Sequence, residues 1–255
     1  MNTFRPVILI PSYNTGAALL HRTVESALAS GYPVMVVVDG STDGSADALE
    51  ERLGTPGNLR VLRKEANSGK GDSLRLAGEG LAAEGYTHAL VMDSDGQHPE
   101  QSIFPLMKLA QENPDSVIMG QPVFGPEAPR ARVHGRKLTS FWTDIETLWC
   151  GLGDSLFGMR VYPLEPFLKA FRQTLFARGF DFDPEIAVRM VWLGCRPIGI
   201  PVPVRYLAEE EGGVSHFHYL RDNVKLTLLH FRLIPEFILL RLFPYLYRKR
   251  QWQKA

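Results

Sequence analysis

Two aspartates stand one residue apart where an apolar run ends. Ala89, Leu90, Val91 and Met92 are followed by Asp93-Ser94-Asp95-Gly96-Gln97-His98-Pro99. A short apolar run closed by turn residues reads as a buried strand. In an open α/β sheet, ligands lie beyond the carboxyl ends of the strands. Two carboxylates gathered at such an end favour a hard divalent cation with oxygen ligands, and Gln97 offers a carbonyl to the same ion. An acidic turn would use one Asp as a local backbone acceptor, which explains one of the pair and leaves the rest of the string unaccounted for. A metal site of Asp93, Asp95 and Gln97 is therefore expected.

The elements that must position these residues alternate in type. Val7-Ile8-Leu9-Ile10 is an apolar run closed by Pro11, and Val34-Met35-Val36-Val37-Val38 is a second, ending in Asp39-Gly40-Ser41-Thr42-Asp43-Gly44-Ser45. A third strand is expected over 59–62, and helical periodicity covers 17–30, 46–53 and the stretch opened by Asn67-Ser68-Gly69-Lys70-Gly71-Asp72. This order predicts an α/β fold with a doubly wound, mostly parallel sheet. The strand ends at Ser12, Asp39 and Asp93 then share one edge. The loop at 67–71 adds backbone N–H groups, a lysine and a helix N-terminus, which suit phosphate oxygens. That edge reads as a site for a phosphorylated ligand with a divalent ion. Gly69-Lys70 is not a P-loop, because Lys64 stands where a glycine is needed, and Gly78-Glu79-Gly80 lies inside a helical pattern.

Taken in order and spacing, Ile10-Pro11-Ser12-Tyr13-Asn14, Val38-Asp39-Gly40-Ser41-Thr42-Asp43-Gly44, Asn67-Ser68-Gly69-Lys70-Gly71 and Asp93-Ser94-Asp95-Gly96-Gln97-His98-Pro99 resemble the family 2 glycosyltransferases of GT-A fold. The Asp-x-Asp-x-Gln-His form is most similar to the dolichyl- or polyprenyl-phosphate sugar synthases. The resemblance spans about residues 6–215. It implies that Pro11, Tyr13, Asn14, Asp39, Gly69, Lys70, Asp93, Ser94 and Asp95 bind a nucleotide-diphosphate sugar donor. Tyr13 would pack on the base, Asp39 would accept a hydrogen bond from it, and Lys70 would lie near the phosphates. It also implies Mg²⁺ or Mn²⁺ on Asp93, Asp95 and Gln97, inversion at the sugar, and a lipid-linked or hydrophobic acceptor. Many relatives carry two acids before Gly-Ser, and here the first is Val38.

Further along, Arg130, Arg132, Arg136 and Lys137 come close together before an apolar helical pattern. They read either as an acceptor-phosphate site or as a solvated helix face. The string at 154–162 looks like the family's acceptor-side strand. In Phe182-Asp183-Pro184-Glu185, Pro184 fits the first turn of a helix, so Asp183 is expected to be the N-cap. By resemblance an acid at this point faces the acceptor and can take its proton; Asp183 matches first and Glu185 second. A closing strand pair is expected over 195–204, part of it an edge because of Pro197, Pro201 and Pro203. Arg205 and His216 complete the acceptor-side candidates, His216 standing where relatives often have lysine.

The bulk composition excludes little else. The chain has 255 residues, 45% hydrophobic and 22% charged, with zero formal net charge, so no global field favours nucleic acid. Two cysteines far apart fit a reduced compartment, and the short polar start before Val7 carries no signal-peptide pattern. A cytoplasmic enzyme peripheral to the inner membrane face is expected. Residues 1–218 are assigned to the catalytic domain and 219–255 to an amphipathic helical appendage. In that appendage Arg232, Glu236 and Arg241 interrupt the apolar pattern, and no uncharged stretch reaches the ~18–20 residues of a spanning helix, so it is expected to lie on a membrane surface. The alternatives are docking on protein and, for the whole chain, a sugar-phosphate nucleotidyltransferase or a non-catalytic nucleotide-sugar-binding protein.

Overall fold

A computed structural model describes residues 3–54, 57–125, 130–179, 181–205 and 219–252. The elements run β1 (Pro6–Ser12), α1 (Ala17–Ala29), β2 (Val34–Asp39), α2 (Ser45–Leu53), β3 (Leu59–Lys64), α3 (Lys70–Ala83) and β4 (His88–Val91). A 3₁₀ turn (Glu100–Ser102) leads into α4 (Ile103–Glu112), β5 (Val117–Val123), α5 (Arg130–Glu146), β6 (Arg160–Pro163) and α6 (Leu164–Phe171). The chain continues with α7 (Phe182–Leu193), β7 (Pro197–Pro203), α8 (Tyr219–Glu236), a π-helical turn (Phe237–Arg241) and α9 (Leu242–Trp252).

The sheet order is β3-β2-β1-β4-β6-β5-β7. Strands β1, β2, β3 and β4 are mutually parallel, and β6 alone runs against its neighbours β4 and β5. Every residue of β2 is buried, as a strand covered on both faces by helices requires. Alternation along β1 divides the interior. Val7 and Leu9 face a core shared with α3, α6 and α7, while Ile8 and Ile10 face the core of α1, α2 and α4.

The expected strand pair over 195–204 is a single strand. β7 pairs in parallel with β5 only and forms one edge of the sheet, since three prolines in seven residues remove the donors an outer neighbour would need. The string at 154–162 is likewise strand only from Arg160 onward.

The C-terminal helices share the core of the sheet domain. Leu226, Leu229, Leu233, Phe237 and Tyr245 are buried in the same cluster as Val188, Val191 and Trp192 of α7. Trp192 and Phe237 stack at 5.6 Å, and the Tyr245 hydroxyl donates to the Thr147 carbonyl at 2.6 Å. The opposite face, with Leu228, Phe231, Ile238, Leu239, Leu240 and Phe243, is exposed. Among the described residues no helix is long and apolar enough to cross a membrane.

Candidate active site

Parallel pairing of β1 with β2 and β4 brings the expected strand ends to one edge, and polar contacts join their loops. Asn14, in the left-handed region at φ 46, accepts from the Thr42 N–H through its side-chain oxygen at 2.9 Å and donates its own N–H to the Ser41 hydroxyl oxygen at 3.1 Å. A hydroxyl chain links Ser12, Thr15 and Ser94 at 3.0 and 2.8 Å. Pro11 is buried in β1 beside Val37, whereas the Tyr13 side chain stands 41% exposed at the rim, where a planar base could lie on it.

Asp39 is buried, and its carboxylate is engaged within the chain. One oxygen accepts the Ser68 N–H at 3.0 Å and the Lys64 ammonium at 2.7 Å; the other accepts the Gly69 N–H at 2.8 Å. Burial pushes this carboxyl up, but Lys64 and the two amides outweigh it and hold the pKa below the ordinary value. Asp39 thus clamps the loop that opens α3. Gly69 sits at φ +97, where a side chain would collide with the Arg178 carbonyl, so the loop lies directly against the segment leading to α7.

That clamp aims Lys70. Its ammonium lies 2.7 Å from Asp93 Oδ1 and 2.9 Å from Asp183 Oδ2, joining the donor-side and acceptor-side acids expected from sequence. Burial works against the ammonium charge, but Asp183 and then Asp93 override it and raise the Lys70 pKa. Burial would likewise raise Asp93, yet Lys70, with His98 and Arg160 beyond it, brings its pKa down to about 2. The Asp93 N–H donates to His98 Nδ1 at 3.2 Å, and the Gln97 N–H donates to Asp95 Oδ1 at 3.0 Å. A Cβ on residue 158 would collide with the Asp93 carboxylate, so Gly158 is what leaves room for it.

Asp183 is not the cap of α7. Asp181 occupies that position, and Pro184 lies in the first turn as expected. Asp183 is the second residue of the helix, within its first turn, and its side chain points to Lys70 rather than to the helix's own amides. Arg160, fully buried at the start of β6, holds it from behind by donating to the Asp183 carbonyl at 2.7 Å and to the Tyr162 hydroxyl at 3.1 Å. Its guanidinium comes within 3.9 Å of Asp183 Oδ1, an oxygen that is buried with no hydrogen-bond partner. Glu185 faces the other way. It is fully buried and meets Arg189 at 2.8 Å and Arg232 of α8, so the two acids proposed as alternatives have separate surroundings.

The other acceptor-side candidates do not gather at one point. Arg136 pairs with Asp154 at 2.7 Å and lies over the Phe124 ring. Arg205 is exposed, and its N–H donates to the Gln97 carbonyl at 3.1 Å, which ties the end of β7 to the Asp93 loop. The Arg132 side chain and His216 lie outside the described residues. Lys64 and Arg160 were not singled out from sequence. The one signal was a charged residue inside an apolar run, Met159-Arg160-Val161-Tyr162, since a buried arginine needs a dedicated set of acceptors.

The residues at the β4 end fit a divalent ion held jointly with a ligand. Among the described residues no three His, Cys, Asp or Glu side chains cluster as a complete metal site. Asp93, Asp95 and the Gln97 side-chain carbonyl could supply part of a hard oxygen set, since such sites take their remaining ligands from substrate phosphates and water.

A sequence model described as glycosyl transferase family 2 matches residues 7–179. The chain belongs to glycosyl transferase family 2. It is 25% identical over 219 residues to a polyprenol monophosphomannose synthase of Mycolicibacterium smegmatis, covering 84% of this chain and 81% of that one. It is 27% identical over 215 residues to an undecaprenyl-phosphate mannosyltransferase of Micrococcus luteus, covering 78% and 82%. Among solved structures it is similar to the glucosyl-3-phosphoglycerate synthase of Mycobacterium tuberculosis in complex with Mn²⁺, UDP-glucose and phosphoglyceric acid. The TM-score there is 0.59 at 16% identity, covering 94% of this chain and 80% of that one. S. aureus TarS residues 1–349 in complex with UDP-GlcNAc gives 0.58 at 16% identity, covering 91% of this chain and 66% of that one. These likenesses show the GT-A fold. The chain is a family 2 glycosyltransferase, which sets aside the nucleotidyltransferase and non-catalytic readings.

Proposed function

We propose that this glycosyltransferase moves a sugar, with inversion, from a nucleotide-diphosphate donor to a polyprenyl-phosphate or similar lipid-linked acceptor. The observation that carries the reading is the Lys70 junction, where Asp93 on the donor side and Asp183 on the acceptor side meet one ammonium. The base would lie on Tyr13, with the diphosphate along the α3 N-terminus and the Asp93 loop. Asp93, Asp95 and Gln97 would hold Mg²⁺ or Mn²⁺, which when bound supplies Lewis-acid neutralisation of the leaving diphosphate. Lys70 adds a second positive charge beside it. An acceptor hydroxyl would give its proton to Asp183 as the new glycosidic bond forms and the bond to the diphosphate breaks. A phosphate acceptor is already anionic and needs no strong general base. The names of the mannosyl-transferring relatives favour the phosphate acceptor.

Radiolabel transfer from UDP- and GDP-sugars to polyprenyl phosphate, with Mn²⁺ or Mg²⁺, tests the assignment; donor turnover with no acceptor that takes the sugar would refute it. Asp95→Ala is expected to abolish metal-dependent donor binding with the fold intact. Calorimetry showing unchanged donor affinity in Mn²⁺ would remove Asp95 from the metal site.

The exposed face of α8, the π-helical turn and α9 supports a place on the membrane surface. Arg232, Glu236 and Arg241, which interrupt the apolar pattern in sequence, pair among themselves and with α7, so the outward face is left mainly apolar. The basic end at Arg248, Lys249 and Arg250 would add about 1 kcal/mol of attraction to anionic lipid per residue near the surface. Full-length protein is expected to sediment with anionic vesicles at low salt and less so at high salt. Failure to sediment at low salt would leave the face for another protein.

A further inference from the structure

Lys70 occupies a position that has consequences for the order of events in the cleft. Its ammonium sits on Asp93 Oδ1 at 2.7 Å, one of the oxygens assigned above to a divalent ion, and simultaneously on Asp183 Oδ2 at 2.9 Å. An ammonium and a divalent cation cannot share one carboxylate oxygen at bonding distance without strong repulsion. The ammonium is also well anchored. Asp39 clamps the loop before it, and the α3 N-terminus packs on Arg178, whose carbonyl accepts the Gly71 N–H at 3.0 Å. The ammonium lies 5.8 Å over the Phe182 ring. Yet the side chain is 20% exposed on a flexible stem, so it can swing toward the cleft.

We propose that Lys70 is a resident counter-cation of the metal site, which a divalent ion displaces from Asp93 only when a diphosphate arrives to receive the released ammonium. This rests on the metal reading of Asp93 and Asp95. Metal and nucleotide then bind as one unit. The metal alone must take from Lys70 one of its two carboxylate partners with no anion in the cleft to replace it, while the nucleotide alone brings its negative charges to a carboxylate-lined edge. The same displacement loosens Lys70 from Asp183 Oδ2, so the acceptor-side acid stays occupied until the donor is in place. Lys70 is therefore a positioning residue that couples the two halves of the reaction, in addition to any contact it makes with phosphate. The scarcity of protein ligands at the β4 end agrees with this, since two carboxylates and an amide leave the ion dependent on what the donor brings.

The test is Mn²⁺ binding followed by electron paramagnetic resonance of the free ion, which needs no turnover. Wild-type protein is titrated with Mn²⁺ alone, and with Mn²⁺ plus UDP or GDP; Lys70→Met and Lys70→Gln are titrated in the same way after circular dichroism has shown that they melt cooperatively. Wild type is expected to take Mn²⁺ weakly alone and about tenfold more tightly with one of the nucleotides, a coupling of ordinary size. The Lys70 variants are expected to bind Mn²⁺ alone about tenfold more tightly than wild type, and to lose most of the nucleotide dependence. Variants that bind Mn²⁺ alone no better than wild type, or a wild type equally tight with and without nucleotide, would overturn the proposal and leave the metal site standing. If neither protein takes Mn²⁺ with either nucleotide, the metal site itself falls and the coupling falls with it.

Discussion

Two clusters of opposite charges lie on different sides of the first turn of α7, and they are built differently. In the outer one, Lys70 serves both Asp93 and Asp183, and Asp183 Oδ1 is left buried with no hydrogen bond. In the inner one, both Glu185 oxygens are taken by arginines, Arg189 and Arg232. Arg189 reaches on to both oxygens of Glu236 at 2.9 and 2.8 Å, and Arg241 closes the ladder at 3.1 Å. In the inner cluster every carboxylate oxygen has a guanidinium partner, and Glu185 and Arg189 are buried, while Arg232 and Arg241 reach the surface and Arg232 Nε is buried without a hydrogen bond. In the outer one a single ammonium serves two carboxylates, and one carboxylate oxygen goes without a hydrogen bond. A set of charges that satisfies itself holds helices together; a set that does not is free to answer a ligand's charge. Two acids two residues apart in sequence, Asp183 and Glu185, thereby have separate surroundings.

The sharpest way to break this contrast is to remove the charge from each acid in turn. Asp183→Asn is expected to slow transfer about 10²–10⁴-fold, the usual cost of a lost general base, with donor affinity little changed; single-turnover kinetics checks it. A phosphate acceptor would place the loss at the low end. Next in size, Arg189→Met leaves Glu185 and Glu236 short of partners and is expected to destabilise the fold by about 3 kcal/mol, as breaking a buried pair does. Arg189→Met combined with Glu236→Leu should regain much of that loss in urea unfolding. If the double variant is no more stable than the single, the ladder is not a closed unit.

Glu185→Gln sharpens the same line. Its melting temperature is expected to fall by more than its kcat, the reverse of Asp183→Asn, and a kcat loss equal to that of Asp183→Asn would move the catalytic acid inward. The smallest effect expected is with acid. The Asp93 pKa is lowered to about 2 from an ordinary 3.8. Its stabilising contribution is thus complete above the ordinary value and disappears as pH falls toward 2. Thermal melts of wild type should lose stability across that window, and Asp93→Asn should lose less.

The strand ends were readable because β-strand patterning and loop chemistry are local. Apolar runs, glycines and capping residues placed Ser12, Asp39, Lys70 and Asp93 on one edge, which is where they lie. Partners far along the chain were not readable. Lys70 meets Asp183 across 113 residues, and Arg160 meets the Asp183 carbonyl across 23. No local pattern encodes either distance. Asp39 was assigned to the nucleotide base by resemblance, while the structure gives both its oxygens to the chain's own loop. The three charges of the C-terminal segment read as interruptions of an apolar face because sequence does not say which way a helix is turned. Packing on α7 directs them inward.

The edges of the sheet carry a consequence of their own. β7 bears prolines at 197, 201 and 203, and β3, at the other end, presents Arg60 and Arg63 in ion pairs with Glu84, Asp47 and Glu50. A bare strand edge would invite a second chain to extend the sheet and seed aggregates. One border has lost most of its N–H donors to proline and the other is guarded by charge. Neither border of the sheet is therefore an open template on which a second copy of the chain could extend it.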